Sequence, residues 1–139
     1  MTDVALLEKK LAFIETCVRD LRVLARPDEI DRDLREQRFV EHTLQLAIQA
    51  ALDVASHIVS DERLGEPATN RELFDLLSRG GWLDADRVAP LRAMAGLRNL
   101  LVHGYAEVDR EVLKDVLRNH VTDLLELVAA VRLQLAKGR

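Results

Sequence analysis

The sequence is poor in residues that cross-link chains or interrupt helices. Its one cysteine, Cys17, excludes an intrachain disulfide and fits a reducing compartment, so we expect a cytoplasmic protein. Six glycines and three prolines in 139 residues are too few for a disordered or collagen-like chain. No apolar run approaches the ~20 residues that span a bilayer, and the N-terminus lacks the pattern of a secretory signal. We therefore expect no membrane partner.

The balance of charge is slightly acidic. Lys and Arg number 20 against 24 Asp and Glu, which gives a formal net charge of -4 and argues against a protein that coats nucleic acid. The local pattern differs, because residues 87–106 contain Arg87, Arg92 and Arg98 and no acidic residue. Binding follows the local field, so this stretch is compatible with action on a phosphate at one focused site.

The residues that are abundant favour helices around a real core. Hydrophobic residues make up 48% of the chain, and no alternation of period two persists long enough to predict a strand. Apolar spacing predicts an all-α antiparallel bundle of four to five helices, forming a single domain over residues 1–139. The predicted helices span about 3–24, 28 or 31 to 60, 71–78, 85–103 and 109–135, the third with Asn70 as a plausible N-cap.

The second predicted helix is apolar on most sides, which is typical of a buried helix. One small bundle would not fully cover it, so a homodimer is expected. It also carries a row of polar residues spaced by four, which drifts by about 40° per step around the helix. The members of this polar row are Glu41, Gln45, Gln49, Asp53 and His57. Although Asp53 and His57 have the spacing of metal ligands, no third ligand accompanies them, so neither a metal nor another cofactor is expected.

The fourth predicted helix contains an arginine where an apolar residue is expected. On a helical wheel Arg98 lies at the centre of the stripe that includes Leu91, Met94 and Val102. A guanidinium binds phosphate through a planar fork, and a histidine such as His103 exchanges protons near neutral pH. Together they suffice in principle for RNA cleavage without a metal. A structural explanation is equally open: Arg98 could form a buried ion pair with Glu41 or Asp53, and His103 could cap the helix. His120, on a largely apolar face of the fifth helix, is expected in the core or an interface.

The segment around Arg98 carries a family resemblance. Arg98-Asn99-x-x-x-His103 resembles the motif of the HEPN superfamily, and its extension through Gly104-Tyr105 resembles the HepT-like toxin branch. The similarity extends to Gln45, Gln49 and Asp53 on the long helix and to Gly65-x-Pro67 in the following loop. Two departures are Leu97, where an aromatic residue often precedes the arginine, and Glu41-His42 in place of Glu-Arg. The second leaves one basic contact near the site in doubt.

The resemblance implies a toxin of a toxin–antitoxin pair, an endoribonuclease that needs no metal and works as a homodimer with its Arg–His pairs facing each other. It assigns Arg98 to the scissile phosphate, His103 to general acid–base catalysis and Asn99 to support by hydrogen bonding. The partner would be an MntA-like minimal nucleotidyltransferase antitoxin, which adds AMP to the motif tyrosine, Tyr105. Within the polar row, Glu41, Gln45, Gln49 and Asp53 are candidates to line the dimer contact or to orient Arg98.

Two other functions compete with the ribonuclease. The chain could be a non-catalytic helical module that binds a nucleotidyltransferase or a nucleotide, with Arg98 and His103 serving recognition only. It could also be a purely structural dimerising bundle. The ribonuclease predicts that substitution of Arg98 or His103 relieves toxicity, and full toxicity in both variants would contradict it.

Overall fold

The computed structural model describes residues 2–104 and 108–138. Within these ranges the chain forms six α-helices and no strand, together with single-turn 3-10 helices at Pro27–Glu29 and Ala85–Arg87. The all-α prediction is confirmed, with one more helix than the four to five expected. The helices are α1 (Val4–Leu24), α2 (Leu34–Asp61), α3 (Glu72–Arg79), α4 (Val88–Val102), α5 (Arg110–Asn119) and α6 (Val121–Ala136).

The long helix α2 is the centre of the bundle. It spans 28 residues, and each of the other five helices packs against it. Its apolar residues are buried as predicted, from Val40 at one end to Val59 at the other, whereas the polar row from Glu41 to His57 is half-buried. The exposed large apolar side chains of α2 are Leu34, at 61%, and Leu46, at 38%. This one chain covers most of α2, and the exposed leucines are the part of its apolar surface that a second copy could cover, so the homodimer stays a prediction.

The first helix follows its sequence pattern closely. Asp3 is the N-cap and accepts a hydrogen bond from the backbone N–H of Leu6 at 3.1 Å. The apolar positions predicted to face the core are all buried, and so is Cys17, whose burial raises the pKa of its thiol. The side chain of Lys10 contacts Asp53, and just after the other end of α1 the backbone N–H of Arg26 donates to the carboxylate of Glu36. This order of contacts makes α1 and α2 antiparallel neighbours.

The last predicted helix is in fact two helices separated at His120. His120 closes α5 and precedes α6, and its side chain lies 3.1 Å from Asp115 and 3.3 Å from Asp123. Its side chain is 44% exposed, so it does not lie in the core, and the alternative expectation of an interface histidine stays a prediction. The two helices have different attachments: α5 forms ion pairs with Asp28 and Asp31, whereas α6 packs along α1. One straight helix of period 3.6 does not reach both surfaces.

No helix in the described ranges is both long and apolar enough to cross a membrane.

Burial of α2 predicts how stability responds to truncation of its side chains. Leu44 is fully buried on α2, and we expect Leu44→Ala to lower the free energy of unfolding by about 2–5 kcal/mol, through lost transfer energy and a residual cavity. Urea denaturation followed by circular dichroism measures the change. The matched control is Leu133→Ala on α6, where the side chain is 57% exposed and the expected change is within about 0.5 kcal/mol. Equal effects of the two substitutions would contradict the burial assigned to α2.

Candidate active site

Arg98 lies in the last turn of α4, where that helix leaves the core. Leu91, Met94 and Ala95 are buried, but Val102, expected on the same stripe, is 40% exposed. Arg98 itself is half-buried. The apolar stripe therefore ends near Arg98, which explains how a charged side chain is accommodated at a position that the helical wheel marks as apolar.

Two amide oxygens hold the guanidinium of Arg98. Its Nε donates to Oε1 of Gln49 on α2 at 2.8 Å, and its Nη1 donates to Oδ1 of Asn99 at 3.2 Å. Gln49 in turn donates from Nε2 to Oδ1 of Asp53 at 2.9 Å. The other carboxylate oxygen of Asp53 lies 3.4 Å from Nζ of Lys10 on α1. Residues of three helices thus form one connected polar network ending at Arg98.

Asn99 joins Arg98 to two other parts of the chain. Its side chain exchanges hydrogen bonds with Asn70, which precedes α3, at 2.9 and 3.3 Å. Its backbone oxygen accepts from the N–H of His103 at 3.0 Å. Asn70 was expected to be the N-cap of α3, but the N-cap is Arg71, and no side-chain hydrogen bond caps that helix. The amide of Asn70 instead fixes the loop before α3 against the end of α4.

His103 is the C-cap of α4, and its side chain is exposed. It follows Arg98 by five residues, which corresponds to a separation of about 7.5 Å along a helix axis. Both residues therefore lie at the same end of α4, one half-buried and the other open to solvent. Tyr105 lies outside the described residues.

The ion pair that the sequence offered as an alternative does not form among the described residues. Glu41 pairs with Arg38 at 2.9 Å, and Asp53 pairs with Lys10. Neither carboxylate contacts Arg98, whose partners are the neutral amides of Gln49 and Asn99. Glu41 therefore does not contact Arg98; its carboxylate, which is 15% exposed, pairs instead with Arg38, three residues earlier on α2.

The other arginines of the basic stretch are paired with carboxylates. Arg87 forms an ion pair with Glu126 of α6, and Arg92 forms one with Asp75 of α3. The local positive field inferred from the sequence is accordingly smaller than the count of arginines indicated. Arg98 differs from its two neighbours because it is held without a counter-charge in the described part of the chain.

A second arginine lies near the Asn70–Asn99 pair. The guanidinium of Arg71 packs over Gly96 on α4, and its Nη2 is 3.5 Å from the position that a Cβ of residue 96 would take. Arg71 is exposed. It supplies a positive charge close to this end of α4, where the sequence left a second basic contact in doubt.

The polar row on α2 contributes unequally to this site. Gln49 contacts Arg98 directly, and Asp53 contacts Gln49. Gln45 is half-buried in the same row, and no hydrogen bond among the described residues joins it to Arg98. Spacing by four identified the row, but the member that faces α4 depends on how the two helices cross. Lys10 and Asn70 had no signal in the sequence that linked them to Arg98.

The described residues contain no group of three or more His, Cys, Asp or Glu side chains placed to hold a metal ion. What the arrangement offers is a permanent cation on fixed amide acceptors at the same helix end as a solvent-exposed imidazole. Such a pair can hold a phosphate through charge-assisted hydrogen bonds and transfer protons next to it.

Comparison with known proteins places the chain in a family. The model of the family described as "Ribonuclease HepT-like" matches residues 14–131. The mRNA nuclease HepT of Shewanella oneidensis is 28% identical over 124 residues, covering 88% of this chain and 93% of that protein. The tRNA nuclease HepT of Aphanizomenon flos-aquae is 35% identical over 82 residues, covering 59% of this chain and 56% of that protein.

A solved structure resembles the chain over nearly its whole length. It is the tri-AMPylated Shewanella oneidensis HEPN toxin in complex with MNT antitoxin, with a TM-score of 0.85, 28% identity, and coverage of 96% of this chain and 99% of that one. The family model spans the core of the bundle from α1 to α6 and includes Arg98, Asn99 and His103. The chain belongs to the ribonuclease HepT-like family.

Proposed function

We propose that this protein is the toxin of a toxin–antitoxin pair, a single-domain endoribonuclease that cleaves RNA with Arg98 and His103 and without a metal. The observation that carries the proposal is the state of Arg98, a half-buried guanidinium held by two neutral amides at the same helix end as His103. Membership in a ribonuclease family supports the reaction class. The two nuclease relatives differ in their named substrates, mRNA and tRNA, and RNA is the class common to both.

The chemistry follows from these groups. Arg98 binds the scissile phosphate and stabilises the charge that develops on it, because a guanidinium forms strong charge-assisted bonds to phosphate oxygens. His103 exchanges a proton with the ribose 2′-OH or with the leaving oxygen. Asn99 holds Arg98 through its side chain and His103 through its backbone, so it keeps the two groups in register. None of these steps requires a metal ion.

Substitution of Arg98 or His103 tests this assignment. We expect Arg98→Ala and His103→Ala each to lower the rate of RNA cleavage by at least about 100-fold, the scale of lost general acid–base or electrostatic stabilisation. Expression of the parent protein without its antitoxin should arrest growth, and both variants should relieve the arrest. Cleavage of a labelled RNA and growth after induction are the measurements.

The controls are residues of the same types away from α4: Arg35→Ala, at an exposed position on α2, and His120→Ala, at a 44% exposed position between α5 and α6. Both should retain activity. Cleavage should persist in EDTA, and complete loss on chelation would contradict the metal-free reaction. Full toxicity of both Arg98→Ala and His103→Ala would contradict the catalytic assignment.

A homodimer would bring two such sites together, and exposed apolar side chains beside Arg98 support one. Val102 lies one turn after Arg98 on α4 and is 40% exposed, and Leu46 lies nearly one turn before Gln49 on α2 and is 38% exposed. Each of these side chains lies within about one helical turn of a partner in the Gln49–Arg98 hydrogen bond. We infer that they pack against the second copy around the paired sites.

Placing a charge at Leu46, one of these two exposed apolar side chains, tests the dimer. We expect Leu46→Arg to raise the dimer dissociation constant by at least about tenfold, because a guanidinium would have to be desolvated at the contact. Sedimentation equilibrium over a range of protein concentrations measures the constant. Leu133→Arg, at a 57% exposed position on α6, is the control and should leave it unchanged. If both variants dimerise like the parent, the contact lies elsewhere.

The antitoxin is proposed to be an MntA-like minimal nucleotidyltransferase that adds AMP to Tyr105. The support is the tri-AMPylated state of the similar HEPN toxin in its complex with MNT antitoxin. Tyr105 follows His103 by two residues in the sequence, so each added AMP would bring negative charge to the motif that is proposed to bind the RNA phosphate.

Mass spectrometry after co-expression with the cognate nucleotidyltransferase tests this step. We expect a mass gain of one or more AMP units on the parent protein and none on Tyr105→Phe. The matched control is the parent protein, with Tyr105 in place, co-expressed with a catalytically inactive nucleotidyltransferase, which should leave the toxin unmodified and active. An inactive complex in which Tyr105 carries no AMP would indicate neutralisation by steric blocking.

A further inference from the structure

A series of polar contacts connects Lys10 on α1 to the guanidinium of Arg98. Lys10 lies 3.4 Å from one oxygen of Asp53, the other oxygen of Asp53 accepts from Gln49 at 2.9 Å, and Gln49 accepts from Arg98 at 2.8 Å. We call these four side chains the Gln49 relay. The member that touches Arg98 is neutral, although a carboxylate stands only four residues further along the same helix.

We propose that Gln49 is a positioning residue that fixes Arg98 with a neutral acceptor and thereby keeps the full positive charge of the guanidinium available for the RNA phosphate. The inference rests on the proposed ribonuclease function and assigns to this site a residue that acts through Arg98. It also gives Asp53 and Lys10 separate roles: Asp53 orients the amide of Gln49, and Lys10 offsets the charge of Asp53.

Asp53 determines which end of the Gln49 amide faces Arg98. An ionised carboxylate only accepts hydrogen bonds, so the NH2 group of Gln49 turns toward Asp53 and the carbonyl oxygen turns toward the guanidinium. With the amide reversed, two donors would face each other at Arg98 and two acceptors at Asp53. The orientation needed to hold Arg98 is thus imposed from the neighbouring turn of α2.

Lys10 explains why a carboxylate can stand so near the site. A direct bond between Asp53 and Arg98 would be a charge-assisted pair, the strong kind, and it would compete with phosphate for the same guanidinium. The amide separates the two groups, and the ammonium of Lys10 offsets the charge of Asp53 from the other side. Arg98 is therefore oriented by α2 without being neutralised by it.

The decisive variant is Gln49→Glu, which keeps the length of the side chain and an acceptor for Arg98 but adds a negative charge. In a His103→Ala background, which prevents cleavage, we expect the Kd for a fluorescein-labelled single-stranded RNA of about 12 nucleotides to rise by at least about tenfold. The negative slope of log K against log salt should become shallower by about 0.7, which is the change expected when one phosphate contact to a single strand is lost. Fluorescence anisotropy measures both quantities.

The matched control is Gln134→Glu, the same change on α6. Gln134 lines a groove with Arg87, at the opposite end of α4 from Arg98, and the variant should leave both the Kd and the salt slope unchanged. A role for Gln49 in packing alone predicts no change of slope on Gln49→Glu in protein that is folded by circular dichroism. An unchanged slope and Kd would overturn the proposal while leaving the ribonuclease assignment intact.

A second measurement does not depend on RNA. The Nε–H resonance of Arg98, assigned by its loss in Arg98→Lys, reports the hydrogen bond to Gln49 in a ¹⁵N-labelled protein. We expect this resonance to shift in both Gln49→Met and Asp53→Asn, since the first removes the acceptor and the second no longer dictates the orientation of the amide. If the Nε–H resonance of Arg98 keeps its position in Asp53→Asn, the Gln49 relay is contradicted. If the parent protein binds no RNA, the proposed function fails, and this resonance alone then decides whether the relay exists.

Discussion

The structure depends on the burial of α2 by the five helices around it, combined with the polar row that α2 carries along one side. A helix that is apolar on most sides gains stability only by removing those sides from water. The same packing brings the polar row close to other elements, where each polar group needs a partner. Gln49 and Asp53 meet this requirement through Arg98 and Lys10. The central helix thus supplies both the core and the support of the candidate site.

The partners of the individual charged groups matter more in this protein than its net charge. Although the net charge is -4, the relevant distinction is between arginines that have a carboxylate partner and Arg98, which has amide partners among the described residues. Carboxylates from other helices meet Arg87 and Arg92, which are thereby committed to holding the bundle together. A guanidinium held by amides keeps its charge for a ligand and still has a defined orientation. This difference separates a structural arginine from one suited to phosphate.

Much of the fold could be read from local patterns because those patterns are properties of single helices. The apolar spacing of α1 and the N-cap at Asp3 involve residues within a few turns of one another, so both are visible in the sequence. The break at His120 is not visible in this way. It arises because α5 and α6 attach to different surfaces, Asp28 and Asp31 in one case and α1 in the other. Periodicity continues through the break, so the pattern alone describes one helix.

The sequence by itself determined the family, the helical class and the grouping of Arg98, Asn99 and His103 at one helix end, because these follow from short-range spacing and residue type. Tertiary structure decided what Arg98 contacts. Within the polar row on α2, Gln49 contacts Arg98 of α4, whereas Glu41 pairs with Arg38 on its own helix. Asp53 pairs with Lys10 of α1. Packing also moved Asn70 from an expected helix cap to Asn99. These contacts depend on how separate parts of the chain pack together. Apart from the local Glu41–Arg38 pair, the partners lie 29 to 49 positions apart in the sequence. Spacing along one helix carries no information about such packing.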